Sequence, residues 1–352
     1  MSVKDCDSHK LMYHPIELAK WINGETVPPI HAEIGITNRC NHRCKFCTLD
    51  WINHGSNDID REVMMRCLKD MFEMGVKSIY YAGEGEPTLH SSLSEFINYA
   101  YNLGIRQSIS TNGSRYTADL SEKTLGGLSW IRFSVDAGTS KTYSLIHGVS
   151  ENEYYNVLNN IKDCVKIKNE RKYNVDIGIQ FILMPENIEE AESLAKIAKD
   201  IGVDNFQIKP AHSHPKSSYS PSIYQFSHDT LEKNLEKLND EKFLAVVRTK
   251  SMERLTQIRN YKDCHGFHFY AIIDAKGNVV PCNIFYGNQD FTYGNISESS
   301  FKDIWLGEKR KNVIKKVSSM CFEQCGNYRC RLDVMNRFLE RIKNPERNDE
   351  FI

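Results

Sequence analysis

Between residues 31 and 210 the apolar positions follow two spacings in alternation. Short apolar runs read as strands, and stretches in which apolar residues recur every three or four places read as helices. Residues 31–37 form the first run. Val63, Cys67, Leu68, Met71 and Phe72 then lie on one helical stripe, with Asp60 where an N-cap is expected. Runs recur at 78–82, 107–111, 130–135, 175–183 and 206–209. Helical spacing recurs at 93–103, 118–125 and 154–168, the last with Val157, Ile161 and Val165 four apart. Asn187 is placed to cap a further helix bearing Ala191, Leu194, Ala195, Ala198 and Ile201, with Glu190 as its capping-box partner.

Six strands separated by helices predict an α/β fold, a partial (β/α)6 TIM-like barrel with a parallel sheet and right-handed crossovers. The active site of such a fold lies at the C-terminal ends of the strands. Residues 212–227, rich in Ser, Pro and Tyr, read as a loop, and Leu231, Leu235 and Leu238 as a helix after it. From Cys264 the chain turns to short segments, turns and cysteines, which predicts a second, smaller domain. The division expected is an extension 1–30, a core 31–215, a helical linker 216–260, a cysteine-rich domain 261–335 and a tail 336–352.

Bulk composition narrows the class. The chain has 352 residues, 40% apolar and 26% charged, with net charge −1, so no overall field favours nucleic acid or an anionic membrane. The basic stretch Lys309, Arg310, Lys311, Lys315 and Lys316 reads as a solvated helix face. Charges throughout residues 1–30 and the lack of any apolar run of about 18 residues predict neither signal peptide nor membrane span, hence a cytoplasmic protein. There are eleven cysteines, a high count. In the absence of a secretory signal, clustered cysteines point to metal binding rather than disulfides. Cys6, Cys67 and Cys164 fall outside the clusters, and Cys67 and Cys164 are expected in the core.

Cys40, Cys44 and Cys47 form a C-x3-C-x2-C run just after the first strand. Three thiolates hold three irons of a 4Fe–4S cluster and leave the fourth for an outside molecule, whereas such clusters are ordinarily held by four cysteines. Zinc is the competing reading, but His42, its only nearby fourth ligand, sits awkwardly between the cysteines. Gly83-Glu84-Gly85-Glu86-Pro87 follows the second strand; glycines permit close backbone approach and a carboxylate suits a cation. With Phe46 just before the last cysteine, this pair of motifs resembles the radical S-adenosylmethionine (radical SAM) superfamily. The resemblance implies that SAM's amino and carboxylate groups fill the open iron site and that the Gly-rich motif and its glutamate hold the ammonium. Glu84 departs from the family pattern, standing where a first glycine is usual. The resemblance extends loosely to Ser110, Asn112, Ser134, Asp136 and Gln180 as contacts to SAM, although each fits turn chemistry as well.

Cys264, Cys282, Cys321, Cys325 and Cys330 form the C-terminal set. A Gly277-Asn278 turn between short apolar strands would fold Cys282 back toward Cys264. This region resembles the SPASM/Twitch extension of radical SAM enzymes, and five cysteines imply one auxiliary 4Fe–4S cluster. Cys264 and Cys282 are assigned to it with two of the other three; a zinc ribbon is the alternative.

The chemistry implied is hydrogen abstraction by a 5′-deoxyadenosyl radical. An auxiliary cluster that accepts the substrate's electron makes the outcome a dehydrogenation, as in the aminocyclitol dehydrogenase of butirosin biosynthesis, whose first two auxiliary cysteines resemble Cys264 and Cys282 in spacing. A thiol returning hydrogen makes it an epimerisation. Lys209, His212 and His214, at the end of the sixth strand, are candidates for binding hydroxyls and for the base; Arg132, Tyr270 and Asp274 are further candidates. These suit a small, carbohydrate-like substrate, and the resemblance implies an external reductant such as flavodoxin or ferredoxin. A peptide-modifying maturase is the second reading. A non-catalytic electron carrier is the third, and the SAM-type motif speaks against it.

Overall fold

The structure is a computed structural model that describes residues 8–221, 229–325 and 330–351, with only the backbone described at 229 and 319–324. Seven strands run parallel in sequence order: β1 (His31–Ile34), β2 (Ser78–Tyr81), β3 (Arg106–Thr111), β4 (Trp130–Ser134), β5 (Asp176–Leu183), β6 (Asn205–Pro210) and β7 (Leu244–Val247). β8 (Tyr270–Ile273) pairs in parallel with the other side of β1, His31 opposite Tyr270 and Ile34 opposite Ile273. β9 (Asn278–Val280) and β10 (Gly294–Asn295) continue from it antiparallel. The sheet thus has ten strands in the order β10-β9-β8-β1-β2-β3-β4-β5-β6-β7, with β10 and β7 at its free edges.

The two faces of this sheet differ. Ile79, Tyr81, Ile109, Ile131, Phe133, Ile177, Ile179, Phe206 and Ile208 are fully buried in the core beneath the helices. Each such side chain contributes about 1.5–3 kcal/mol by leaving water. The alternate positions carry Tyr80, Ser110, Arg132, Ser134, Gln180 and Lys209, all only half-buried. Period-two alternation sends these to the opposite face, the lumen of a partial TIM-like barrel.

Local signals account for the helices. α1 spans Pro15–Ile22. In α2 (Arg61–Met74) the Asp60 carboxylate accepts from Val63 N at 3.1 Å, Gly75 ends the helix at φ 88°, and Met64, Cys67, Leu68 and Met71 are buried. α3 (Leu93–Leu103), α4 (Ala118–Thr124), α5 (Ser140–His147), α6 (Asn152–Arg171) and α7 (Ala191–Ile201) cover the sheet between later strands. α8 (Asp229–Glu236), α9 (Thr249–Glu253), α10 (Phe301–Leu306), α11 (Glu308–Cys325) and α12 (Asp333–Lys343) complete the described set.

Several expectations are corrected. The first strand stops at Ile34, because Thr37 leaves it to bridge Asp58. The capping box at Asn187 and Glu190 does not form: Asn187 accepts from Met184 N and donates to Asp136 O, while Glu190 accepts from Gly138 N at 2.7 Å and Thr142 Oγ1 at 2.6 Å. α1, α5 and β7 were not read from the sequence. Arg310 is not part of a solvated face; it is buried over the Trp305 ring at 3.8 Å. Cys67 and Cys164 are core residues, as expected. Cys6 and residues 222–228 of the Ser/Pro/Tyr-rich segment lie outside the described residues.

Candidate functional site

The cysteine run occupies the loop after β1, and backbone bonds fix that loop on three sides. Glu86 N donates to Arg39 O at 2.8 Å, Arg43 N to His147 O at 2.9 Å and Lys45 N to Ile146 O at 2.8 Å. Arg39 pairs with Asp58 at 2.6 Å, and Asp58 also accepts from Thr37 Oγ1. Gly85 lies so close that a Cβ there would stand 2.4 Å from Arg39 O and 2.6 Å from Thr37 O. α5 therefore acts as a clamp on the loop. Its sequence signals were Thr139 as N-cap, which accepts from Thr142 N, and Gly148 as its left-handed C-terminal stop.

The three thiols face shared surroundings. Burial, with Glu86 and Cys47 nearby, pushes Cys40 up to about 11. Burial and then the neighbouring Cys40 and Cys47 push Cys44 well up, and burial raises Cys47. Thiols raised in this way hold their protons, and a metal centre bound here would have to displace them. Behind Cys44 sit His42, Tyr143 and His147. Both ring nitrogens of His42 are buried and have no hydrogen-bond partner among the described residues, and burial and His147 push the ring down to about 3. Unpartnered ring nitrogens beside three converging thiols fit a cluster placed in this loop.

The Gly-rich motif is built into the same corner. Gly83 has φ 121°, which favours glycine. Pro87 opens a short 3-10 turn and is buried. Glu86 accepts from Thr88 Oγ1 at 2.8 Å, Thr111 Oγ1 at 2.6 Å and Asn112 N at 2.7 Å. Its carboxylate thus ties the end of β2 to the end of β3. Glu84 accepts from Ala275 N at 2.9 Å, and burial raises it to about 7. Asn112 donates to Asn41 Oδ1 at 2.8 Å, bridging β3 to the cysteine loop. Ser110 accepts from Tyr80 at 2.6 Å, and Gln180 takes the Lys209 ammonium. Phe46 packs edge-on to His147 at 5.7 Å. Asp136 is fully buried behind Cys44, with its Oδ2 3.4 Å from His147, rather than on a surface open to SAM. Ser134 is half-buried toward the lumen.

A second set of thiols gathers at the C-terminal side. Burial, then the nearby Cys282 and Cys325, push Cys330 well up. Cys264 and Cys282 both raise Tyr293, after burial. Asn336 Nδ2 donates to Cys264 Sγ at 3.3 Å, while its Oδ1 accepts from His265 N and Gly266 N. The β8–β9 hairpin turns at Gly277, φ 82°, as expected. The side chain of Cys321 lies outside the described residues. Four described thiols converging on one region fit an auxiliary cluster.

Residues 34–198 match the family described as the radical SAM superfamily, and residues 264–331 match SPASM, an iron–sulfur cluster-binding domain. The chain belongs to the radical SAM superfamily. A radical SAM protein with a SPASM domain carries a SAM-binding 4Fe–4S cluster, an auxiliary cluster and SAM. Among curated relatives, the tungsten-containing aldehyde ferredoxin oxidoreductase cofactor-modifying protein of Pyrococcus furiosus is 26% identical over 78% of this chain and 80% of its own. The S-adenosylmethionine-dependent nucleotide dehydratase of Flammeovirga pacifica is 25% identical over 78% of this chain and 87% of its own. Among solved structures, Streptococcus suis SuiB bound to S-adenosylmethionine superposes with TM-score 0.64 at 16% identity, over 96% of this chain and 79% of that one, a likeness of fold.

The remaining candidates of this radical SAM chain divide by position. Lys209 points into the lumen beside Gln180, and His212 is half-buried at the strand end. The segment after it folds over the cysteine loop: Ser217 Oγ donates to Cys47 O at 3.3 Å and Ser218 to Asp50. His214 stacks on Trp51 at 5.5 Å, accepts from Lys216 N, and is pushed down to about 4 by burial. Its ring is thus part of the cover over the cysteine loop. Asp274 accepts from Lys276 N and Asn278 N through Oδ1 and from Asn278 Nδ2 through Oδ2, so it organises the hairpin turn instead of serving as a base. Tyr270 donates to Glu33 Oε2 at 2.6 Å, and Arg331 pairs with the same carboxylate. Arg132 lies over the Trp130 ring at 5.1 Å. Among the described residues no helix is long and apolar enough to cross a membrane.

Proposed function

We propose that this chain cleaves SAM reductively and abstracts hydrogen from a small, hydroxyl-rich, carbohydrate-like molecule, ending in dehydrogenation or epimerisation. The observation that carries this reading is the lumen: Tyr80, Ser110, Arg132, Ser134, Gln180 and Lys209 sit half-exposed on one face of the sheet. Donors and acceptors at successive strand ends suit a ligand with several hydroxyls, because each hydroxyl must recover the hydrogen bonds it leaves in water. The similarity to a nucleotide dehydratase is in keeping with a polar small molecule.

Cys40, Cys44 and Cys47 would hold the SAM-binding cluster, and Cys264 and Cys282, with two of Cys321, Cys325 and Cys330, would hold the auxiliary one. When bound, these groups supply the electron that cleaves SAM to a 5′-deoxyadenosyl radical and a sink for the substrate's electron. The chain's part is positional. Gly83 and Gly85 keep the β2 edge narrow enough for a ligand's backbone contacts, and Glu86 holds that edge to β3. The cover formed by His214, Ser217 and Ser218 over Cys47 and Asp50 keeps bulk water from the cysteine loop. Lys209 orients a hydroxyl, and His212, at the mouth, takes its proton.

Transfer of deuterium into 5′-deoxyadenosine tests the proposal, using anaerobically reconstituted, reduced protein with SAM and deuterated sugars, nucleotide sugars and peptides. Label arriving from a sugar or nucleotide sugar is the expected outcome. Label arriving only from a peptide would replace the substrate class, and no deoxyadenosine at all would leave an electron carrier.

A further inference from the structure

At the N-terminal mouth of the barrel, opposite the cysteine loop, a cavity of about 370 Å³ lies among the first residues of β1, β2 and β8. His31, Ser78 and Tyr270 form its strand side, and the segment from Ser8 to Leu11 and the start of α12 form further walls. Four cations line it: Lys10, Arg248, Arg254 and Arg331. Among the described residues, no Asp or Glu lines it. We propose that this cavity binds the phosphate group of a small organic phosphate ester, at a site separate from the cysteine loop. Binding here requires neither SAM nor hydrogen abstraction.

Three of the four cations are arginines, whose planar forks match phosphate oxygens two at a time. They come from separate parts of the chain: Arg248 and Arg254 flank α9, and Arg331 precedes α12. Charges of one sign brought together in a cleft focus its field and draw in a ligand of the opposite sign. Two of these side chains are held in place from behind. Arg331 pairs with the buried Glu33 and donates to the Tyr270 hydroxyl at 3.4 Å, yet 52% of its side chain stays exposed. Arg254 Nη2 donates to Ser251 Oγ at 2.9 Å. His31 reports the sign of the cavity. Its Nδ1 lies 2.7 Å from Ser78 Oγ, and burial, then the Arg331 charge, push the ring down to about 4. It therefore stays neutral and offers a hydrogen bond without adding charge. Leu11, Phe269 and Met335 give the cavity an apolar wall. Inorganic phosphate has no surface to cover that wall, whereas an ester has an organic body that does. The volume falls in the range of about 300–1,000 Å³ that small-molecule sites occupy.

The test is anaerobic titration calorimetry on the full chain carrying its clusters, with SAM at saturation. The probes are uridine 5′-monophosphate, uridine and inorganic phosphate. The nucleotide is expected to bind at least about tenfold more tightly than either fragment, the scale of one hydrogen bond to a charged group. Its affinity should fall as salt is raised. Arg254→Gln should remove most of the preference for the nucleotide and leave uridine binding unchanged, and Arg248→Gln should act in the same sense. Equal affinities for nucleotide and uridine would overturn the proposal, as would nucleotide binding that neither substitution alters. Should both variants fail to fold, hydrogen exchange on the wild-type chain decides. Slower exchange at the backbone amides of residues 9–13 when the nucleotide is added supports the site, and unchanged exchange there refutes it.

Discussion

Gly85 decides whether the cysteine loop can close against the second strand. Added Cβ atoms essentially never stand as near to backbone oxygen as 2.4 Å, and both Arg39 O and Thr37 O would have to move. Because Arg39 O is the acceptor of Glu86 N, moving it detaches the loop from the strand edge. Gly85→Ala is therefore expected to lower iron bound per chain at the SAM site and deoxyadenosine formation by at least about tenfold, the loss that a displacement of order 1 Å brings to a positioned site, with the circular dichroism spectrum of the wild type. Unchanged iron content would refute the close-approach argument. The neighbouring Glu84 leads to a different expectation. Burial raises its carboxyl from 4.5 to about 7. A carboxyl whose folded value lies above its unfolded value binds its proton more tightly when folded. Its contribution to stability is full below pH 4.5 and is lost as the pH rises through about 7. The loss is at most about 3 kcal/mol. Glu84→Gln should hold its urea midpoint across that window while the wild type declines, and parallel declines in both proteins would contradict the assignment.

Elements whose signals are local were legible in the sequence; those whose partners are remote were not. Asp60 and Gly75 bracket α2 with their own side chain and backbone, and the stripe from Met64 to Met71 needs no distant information. The cysteine run, the Gly-rich edge and the auxiliary thiols were likewise visible, since their spacing is itself the chemistry. Asn187 and Glu190 carry the pattern of a local cap, yet tertiary partners win both side chains: Asn187 goes to Asp136, and Glu190 to the start of α5. Likewise, the carboxylates of Asp136 and Glu86 look like ligand contacts in the sequence and accept from remote backbone N–H groups, whereas Asp274 accepts from those of its own hairpin turn. β7 is four residues long, a length at which an apolar run does not distinguish strand from helix. The misread Glu190 yields a test of the α5 clamp. It accepts from Gly138 N, Thr139 N, Thr139 Oγ1 and Thr142 Oγ1, so Glu190→Ala leaves the first turn of α5 without these partners at a cost of about 1–3 kcal/mol. Since the other end of α5 holds Arg43 N and Lys45 N, hydrogen exchange at those two amides should quicken in the variant. Protection equal to the wild type would mean that α5 is held from the sheet side alone.

Over the whole molecule the cysteine-rich region is part of the barrel rather than an appendage to it. β8 completes the pairing of β1 on the side away from β2, across a separation that no local pattern encodes. Glu33, only 2% exposed, is compensated among the described residues from that region, by the Tyr270 hydroxyl and the Arg331 guanidinium. The N-terminal segment depends on it as well: Leu11, Leu18, Trp21 and Val27 form their own core with Phe269 and Leu339. A chain ending at residue 260 should therefore fail as a unit. It would bare the hydrogen-bonding edge of β1 next to an open lumen, an invitation to edge-to-edge association. It would also leave a buried carboxylate without its partners, a defect worth about 3–5 kcal/mol in other proteins and comparable to much of a domain's net stability. Leu18 and Trp21 would meet water instead of Phe269 and α12. The expected behaviour of the truncated chain is a void-volume peak in gel filtration and no cooperative urea transition, partly relieved by Glu33→Gln, which removes the stranded charge but not the open edge. A monomeric 1–260 chain unfolding at the midpoint of the full protein would show instead that the barrel folds by itself and that β8 merely leans on it.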